Sequence, residues 1–215
     1  MKKCIITGGG SKFGQQLVNQ LIQAGYVVDL ITGTPDTWAD NPSVNVISVD
    51  WKTIGLQNLK QLIPKDPVDL MFFNHNSSAL SGPKFKKESI QSIKDWQQSY
   101  FVSCQLPFYL IHSSANKISP NTKIGWMLSE LVNNPVNSQV GYADYIGYKF
   151  TNTCIMRSFS LNFPACFFGI IPGLLDRHGL AQDLIGLIHN TDIATLNGGV
   201  FNSDGSKFEI GHQNT

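Results

Sequence analysis

Short apolar runs alternate along the chain with longer segments whose apolar residues recur at helical spacing. The short runs are continuously apolar rather than alternating, which is typical of parallel strands that are covered on both faces. Their length and their glycine or proline boundaries indicate strands rather than helices. The seven predicted strands are Lys3–Thr7, Tyr26–Thr32, Val44–Val49, Val68–Phe73, Lys123–Leu128, Ala165–Ile171 and Gly199–Asn202.

The segments between these strands predict helices. Apolar residues recur every three or four positions from Phe13 up to Gly25, and four further segments show a helical pattern. These are a weak helix at Leu56–Ile63, a long stretch from about Ser89 to Asn116 with a bend at Pro107, Tyr142–Leu161, and Leu180–Ile188. Strands that alternate with helices predict crossover connections and a parallel sheet. We expect one α/β domain over residues 1–215, a three-layered doubly wound (Rossmann) fold with strand order 3-2-1-4-5-6-7.

Composition narrows the function classes. The 215 residues are 42% hydrophobic and only 14% charged, so the chain is expected to bury a core and not to be disordered. A formal net charge of +1 gives no support for nucleic-acid binding. Four cysteines without close pairing predict neither a zinc cluster nor disulfides, so no metal is expected. No leader pattern or membrane-length apolar run is recognised, which favours a cytoplasmic location and no membrane partner.

A glycine-rich turn lies between the first strand and the first helix, at Thr7–Gly14. Glycines let the backbone approach a pyrophosphate closely, and the free N–H groups at a helix start favour negative charge. A plain turn without a ligand is the alternative, but the position near the N-terminus favours dinucleotide binding. The residues of this turn assigned to cofactor binding are Gly8, Gly10, Ser11, Lys12, Phe13 and Gly14.

This turn resembles the TGxxxGxG element of the short-chain dehydrogenase/reductase family. Gly8 and Gly14 match that pattern, whereas Lys12 stands where the family has its middle glycine. A lysine that points outward can be accommodated there, and its ammonium could then reach a phosphate. The resemblance extends over nearly the whole chain, from Lys3 to about Ser206.

Tyr145 and Lys149 are four residues apart in a predicted helix and therefore share one face. A nearby ammonium favours the phenolate of a tyrosine, whose ordinary pKa is about 10, and so suits it to proton transfer near neutral pH. This spacing is that of the family's YxxxK motif, in which the lysine also holds the nicotinamide ribose. Tyr145 could instead pack in the core while Lys149 extends to solvent.

The resemblance implies two further catalytic positions. Ser129 follows the fifth strand, where the family has a serine that hydrogen-bonds the substrate oxygen. Ser103 lies in the long helix, where the family has an asparagine that takes part in a proton relay. The serine at this position predicts either a slower enzyme or a different relay.

The remaining cofactor contacts are also implied by the resemblance. Phe73–Asn76 stands where the family carries NNAG, with His75 in place of alanine. His75 has no metal-ligand partner at a suitable spacing, so it is interpreted as a structural residue of the site. The positions implied in cofactor binding are Thr34, Asp50, Trp51, Asn74, His75, Asn76, Pro172 and Gly173, together with Tyr145 and Lys149. The second strand ends without an acidic residue, which together with Lys12 slightly favours NADP over NAD.

The leading hypothesis is reversible reduction of a small-molecule carbonyl to an alcohol with NADP or NAD. A dinucleotide-binding sensor or scaffold that does not turn over is the alternative, and nucleotide-sugar chemistry is a third reading that the brevity of the chain disfavours. A shortened substrate lid is expected around residues 174–196. A homodimer or homotetramer is expected through Trp96–Ile111 and Tyr148–Leu161, although a buried core would explain the same apolar pattern.

Overall fold

The central sheet has seven parallel strands in the order β3-β2-β1-β4-β5-β6-β7, which confirms the predicted topology. The computed structural model describes residues 1–38, 40–75, 90–132, 143–172 and 179–210. The strands are β1 (Lys2–Thr7), β2 (Tyr26–Thr32), β3 (Val44–Ser48), β4 (Leu70–Phe73), β5 (Lys123–Met127), β6 (Cys166–Ile171) and β7 (Val200–Asn202).

Helices cover both faces of the sheet and bury two separate apolar clusters. They are α1 (Lys12–Gln23), α2 (Ile90–Tyr100), α3 (Leu106–Ser113), α4 (Ala143–Asn162), α5 (Leu180–Asn190) and α6 (Ile193–Leu196). Successive strand residues point to opposite faces, so Phe72 joins the cluster beneath α1 and α5, whereas Phe73 joins the cluster beneath α3 and α4. This is the three-layered α/β/α arrangement that the continuous apolar strands predict.

Three local details differ from or add to the predicted elements. Leu56–Leu62, predicted only as a weak helix, is a 3-10 helix, and the short helix α6 was not predicted. The fourth strand begins at Leu70 rather than Val68, although the Asp69 amide already donates to the carbonyl of Lys3 in the manner of a strand. Strand and helix ends shift by one or two residues with small changes in hydrogen bonding, so the later start of β4 is a minor difference.

The long helical stretch is interrupted earlier than its proline suggests. A π-helical turn at Phe101–Gln105 joins α2 to α3, and within it the Leu106 amide donates to Phe101 rather than to Val102. Pro107 explains the turn, because proline has no N–H and its ring clashes with the carbonyl four residues before it. The wider turn leaves the carbonyl of Val102 free to accept a hydrogen bond from another element.

The segment after β6 is largely part of the core. Helix α5 falls within the region predicted as a lid, but its buried face packs against α1 through Leu184 and Leu187. Residues 173–178 lie outside the described part, and the short lid expected around residues 174–196 stays a prediction. Within the described ranges no helix combines the length and the apolar character needed to span a membrane.

Candidate active site

The glycine turn is a tightly packed connection between β1 and α1. Gly8 has a φ of +76°, and a Cβ on this residue would lie 2.8 Å from the His75 backbone nitrogen. A Cβ on Gly14 would lie 2.3 Å from the Gly8 oxygen. Both positions therefore require glycine, one for its backbone conformation and the other for the close approach of helix and turn.

Side chains fix the carbonyl groups of this turn. The donors are Asn74 Nδ2 to Gly8 at 3.0 Å, Trp38 Nε1 to Gly9 at 3.4 Å and Gln15 Nε2 to Gly10 at 3.2 Å. Ser11 is the N-cap residue of α1, and its hydroxyl oxygen accepts a hydrogen bond from the Gly14 amide at 3.0 Å. The first N–H groups of a helix have no partner within the helix, so the start of α1 offers donors and the positive end of a helix dipole to an anion.

A cavity of about 680 Å³ opens at the carboxyl ends of the strands. This is where ligands bind in doubly wound sheets. Twelve predicted site residues line it: Gly8, Gly10, Ser11, Lys12, Phe13, Thr34, Trp51, Asn74, His75, Tyr145, Lys149 and Pro172. The glycine turn and the Tyr145–Lys149 pair thus belong to one cavity, although they are far apart in the sequence.

Tyr145 and Lys149 lie on consecutive turns of α4. The Nζ atom of Lys149 is 5.5 Å from the centroid of the Tyr145 ring and donates to the main-chain oxygen of Met127 at 2.6 Å. Lys149 is only 5% exposed, and burial lowers its pKa to about 8 because a charged amine is poorly solvated there. The lysine therefore does not extend to solvent, as the alternative interpretation of the motif required.

His75 is a fully hydrogen-bonded part of the cavity wall. Its Nε2 contacts the carbonyl oxygen of Val102, which can only accept, so this nitrogen carries the proton. Its Nδ1 then accepts from the Thr7 hydroxyl at 2.6 Å. Burial lowers the pKa of His75 to about 4, so the ring is neutral at pH 7. Because both ring nitrogens are engaged, His75 is held as a structural residue.

Four described residues of the predicted site are not in the cavity wall: Gly14, Ser129, Ser103 and Asp50. Gly14 packs under the turn, and Ser129 is buried just after β5, next to the lining residue Leu128. Ser103 is buried in the π-helical turn, and its hydroxyl has no hydrogen-bond partner among the described residues. Asn76 and Gly173 lie outside the described residues.

Asp50 is exposed and accepts hydrogen bonds from residues of its own loop. Its two carboxylate oxygens accept from the Lys52 amide and the Thr53 hydroxyl, both at 2.9 Å, and these bonds lower its pKa. The neighbouring Trp51 lines the cavity instead. Of these two neighbouring residues, both predicted for cofactor binding, the cavity wall contains Trp51 and not Asp50.

Sequence reasoning missed five lining residues. Thr32, Gly33, Met127 and Leu128 end β2 and β5 or follow them directly, so the rule that sites form at the carboxyl ends of parallel strands could have found them. Leu180 begins α5 after a segment that the structure does not describe, and no local sequence signal marks it.

Comparison with known proteins supports the fold. No family model matches the sequence, and no curated protein matches it. Solved structures do match over nearly their whole length. A carbonyl reductase from Pseudomonas aeruginosa PAO1 has a TM-score of 0.78 at 14% identity, over 97% of this chain and 99% of that chain. The carbonyl reductase Sniffer of D. melanogaster has a TM-score of 0.74 at 16% identity, over 97% and 99% respectively.

A third structure, BdcA in complex with NADPH, has a TM-score of 0.75 at 14% identity, over 100% of this chain and 98% of that chain. The chain therefore has the fold of short-chain dehydrogenases and reductases. The fold expected from the sequence resemblance is confirmed.

Proposed function

We propose that the chain is a short-chain dehydrogenase/reductase that interconverts a carbonyl and an alcohol with a nicotinamide dinucleotide. The observation that carries this proposal is the shared cavity, which brings the Tyr145–Lys149 pair to the glycine turn at the start of α1. The fold likeness to carbonyl reductases supports the same reaction class.

The residues present fit a dinucleotide. The cavity volume falls in the range of about 300 to 1,000 Å³ that small-molecule sites occupy. Gly8 and Gly10 have no side chains, so the backbone of the turn can approach a ligand closely. Beside them, the start of α1 offers N–H donors to a pyrophosphate. These features support a phosphate-bearing ligand at this end and a reacting group at the Tyr145 end.

Tyr145 acts as the proton donor in the proposed reduction. Its hydroxyl gives a proton to the substrate oxygen, and the Lys149 ammonium beside the ring stabilises the resulting phenolate. Ser129, which directly follows the lining residue Leu128, is the residue proposed to position the substrate oxygen, and the Ser103 hydroxyl is proposed for the relay. When bound, the nicotinamide supplies or accepts the hydride.

NADP is the proposed cofactor in preference to NAD. The end of β2, Thr32–Thr34, offers hydroxyl groups and a glycine rather than the carboxylate typical of NAD binding. The exposed Lys12 also lines the cavity and supplies a positive charge for a 2′-phosphate. The binding of NADPH by BdcA, and of NADP by the Pseudomonas aeruginosa carbonyl reductase, supports this choice. A Lys12→Ala variant that loses affinity for NADPH but not for NADH is the expected result.

A dinucleotide-binding protein without turnover is the second candidate. Ser103 stands at the family's asparagine position, and its hydroxyl has no hydrogen-bond partner within the part of the chain that the structure describes, which favours this candidate because the relay is altered there. Binding of NADPH without its oxidation, over a broad panel of carbonyl compounds, would select this candidate over the reductase.

The decisive experiment compares Tyr145→Phe with Tyr148→Phe. Tyr148 is a matched control because it lies on the same helix, and its hydroxyl donates to the carbonyl of Trp96 outside the cavity wall. We expect Tyr145→Phe to lower kcat by about 10²- to 10⁴-fold, the usual worth of a general acid, with little change in dinucleotide affinity. Unchanged turnover in Tyr145→Phe would remove Tyr145 from the mechanism.

A homodimer or homotetramer is proposed from the outer faces of the helices after β4 and β5. Large apolar side chains are exposed there: Ile93, Trp96, Phe108, Phe150 and Leu161. Phe150 is 54% exposed, so Phe150→Glu is expected to produce a monomer in mass measurements if a second copy covers this surface. The cytoplasmic location expected from the sequence stays a prediction.

A further inference from the structure

Trp51 occupies the side of the cavity nearest β3. It follows Asp50 in the loop after that strand, is partly buried and lines the cavity together with Gly33 and Thr34. A Cβ on Gly33 would lie 2.9 Å from Trp51 Cδ1, so the indole lies close over the end of β2. Only glycine at position 33 leaves room for the indole in this place.

The indole of Trp51 is held in this position by the His75 ring, which packs against one of its faces. Its ring stacks on the His75 imidazole with centroids 5.5 Å apart and an interplanar angle of 18°. His75 is buried and hydrogen-bonded through both ring nitrogens, to Thr7 and to Val102, so it is a fixed backing for the indole. One face of the indole is therefore turned to the core.

The backbone that carries the indole is fixed as well. Gln98 Nε2, from α2, donates to the main-chain oxygens of Trp51 at 3.0 Å and Ile54 at 2.9 Å. The Asp50 carboxylate closes the same loop through Lys52 and Thr53. An aromatic group with a fixed backbone and a fixed backing loses little conformational freedom when a ligand packs against it.

The place of the indole corresponds to one part of a dinucleotide. In a doubly wound sheet the pyrophosphate lies at the start of α1 and the adenosine ribose at the end of β2. Beyond that ribose, toward β3, comes the adenine base, and this is where Trp51 stands. We propose that the indole of Trp51 is the surface on which the adenine base stacks, an inference that rests on the dinucleotide binding proposed above.

This assignment changes how the base is recognised. Each oxygen of the Asp50 carboxylate already accepts one hydrogen bond within its own loop, and Asp50 does not line the cavity, so in this proposal the base is held mainly by stacking. Stacking on an aromatic side chain is tolerant of base identity because every base has a π-face. The hypoxanthine analogue of the cofactor, which lacks the amino group, is therefore expected to bind within about threefold of the adenine form.

The test measures the affinity of adenosine diphosphate (ADP), which carries the base and the pyrophosphate but no nicotinamide. Trp51→Leu keeps an apolar side chain and removes the aromatic face, so it should weaken ADP binding by about 5- to 150-fold. Trp51→Phe should stay within about fivefold of the wild type because it keeps a ring. Trp96→Leu is the matched control, since Trp96 is an exposed indole on α2 that does not line the cavity, and it should leave ADP affinity unchanged whatever its effect on the proposed oligomer.

The outcomes separate this inference from the proposed reaction. ADP affinity that is equal or tighter in Trp51→Leu, or absent in the wild type, overturns the stacking surface. A loss of affinity in Trp51→Phe as large as in Trp51→Leu overturns it as well. If Trp51→Leu weakens ADP binding as expected but the wild type reduces no carbonyl compound, the stacking surface stands and the reductase proposal fails. If the wild type reduces carbonyls while Trp51→Leu binds ADP normally, the reductase proposal stands and the stacking surface fails.

Discussion

The Lys149 ammonium donates a hydrogen bond of 2.6 Å to the main-chain oxygen of Met127, the last residue of β5. This bond ties α4 to the carboxyl end of the sheet and keeps the ammonium beside Tyr145. The same burial that positions the amine lowers its pKa to about 8, so the protein is destabilised by the charge that its proposed chemistry uses. The first two predictions follow from this conflict.

Lys149→Met is expected to stabilise the protein. The unfolded lysine has a pKa near 10.5 and the folded one near 8, so below about pH 8 the folded state carries a penalty of about 3 kcal/mol. Loss of the bond to Met127 offsets part of the gain, which leaves an expected increase of about 1 to 3 kcal/mol in the free energy of unfolding at pH 7. Denaturant titration at pH 7 measures it.

Two comparisons check the cause of this gain. Lys94→Met, at an exposed position on α2, should change stability by no more than about 0.5 kcal/mol. The gain in the free energy of unfolding from Lys149→Met should also shrink as the pH rises from about 8 toward 10.5, because Lys149 of the folded wild type is then neutral and its burial no longer destabilises the protein. An advantage that is independent of pH would contradict an electrostatic origin.

Carbonyl reduction is expected to fall as the pH rises through about 8. Below this pH Lys149 is protonated and its ammonium stabilises the phenolate that proton donation leaves on Tyr145; above it, that stabilisation is lost. The measurement is kcat/KM for reduction between pH 6 and 10. Lys149→Arg keeps its charge over this range, so any activity it retains should not show the decline near pH 8. A decline that persists unchanged in Lys149→Arg would assign it to another group.

His75 is expected to make stability depend on pH on the acid side. Its pKa is lowered from 6.5 to about 4, so the unfolded chain takes up a proton before the folded one does. The contribution, about 3 kcal/mol, is therefore present above pH 6.5 and is lost as the pH falls toward 4. His75→Gln should flatten the stability profile between these values, whereas His112→Gln, at an exposed position, should leave it unchanged. Parallel profiles for wild type and His75→Gln would refute the assignment.

The sequence predicted the fold well because the signals were local and repeated. Seven continuous apolar runs separated by helical segments allow few topologies, and the glycine turn at Gly8 indicates that β1 lies at the switch point of the strand order. Tyr145 and Lys149 were found because helical spacing places both on one face and because that spacing resembles the YxxxK motif of the family. Each of these inferences needs only a short stretch of chain.

Other features of the site depend on contacts between distant segments. The π-helical turn arises from Pro107, but its consequence, a Val102 carbonyl that accepts from His75, joins residues that no spacing rule connects. The position of the Trp51 indole in the cavity wall likewise depends on a glycine at position 33 and a ring at position 75. Such relationships appear only when the side chains are placed together.

Gly10 and Thr34 should behave as a coupled pair. A Cβ on Gly10 would lie 2.0 Å from the Thr34 hydroxyl oxygen but 3.2 Å from its Cβ, so the conflict in Gly10→Ala is mainly with the hydroxyl. Gly10→Ala alone should lower the free energy of unfolding by about 1 to 3 kcal/mol, and adding Thr34→Ala should recover at least about 1 kcal/mol of that loss. Gly14→Ala is the contrasting case, because its Cβ would meet the Gly8 backbone oxygen at 2.3 Å. Thr34→Ala should give no recovery there, and equal recovery in both backgrounds would show that Thr34 acts on stability by some route other than contact with Gly10.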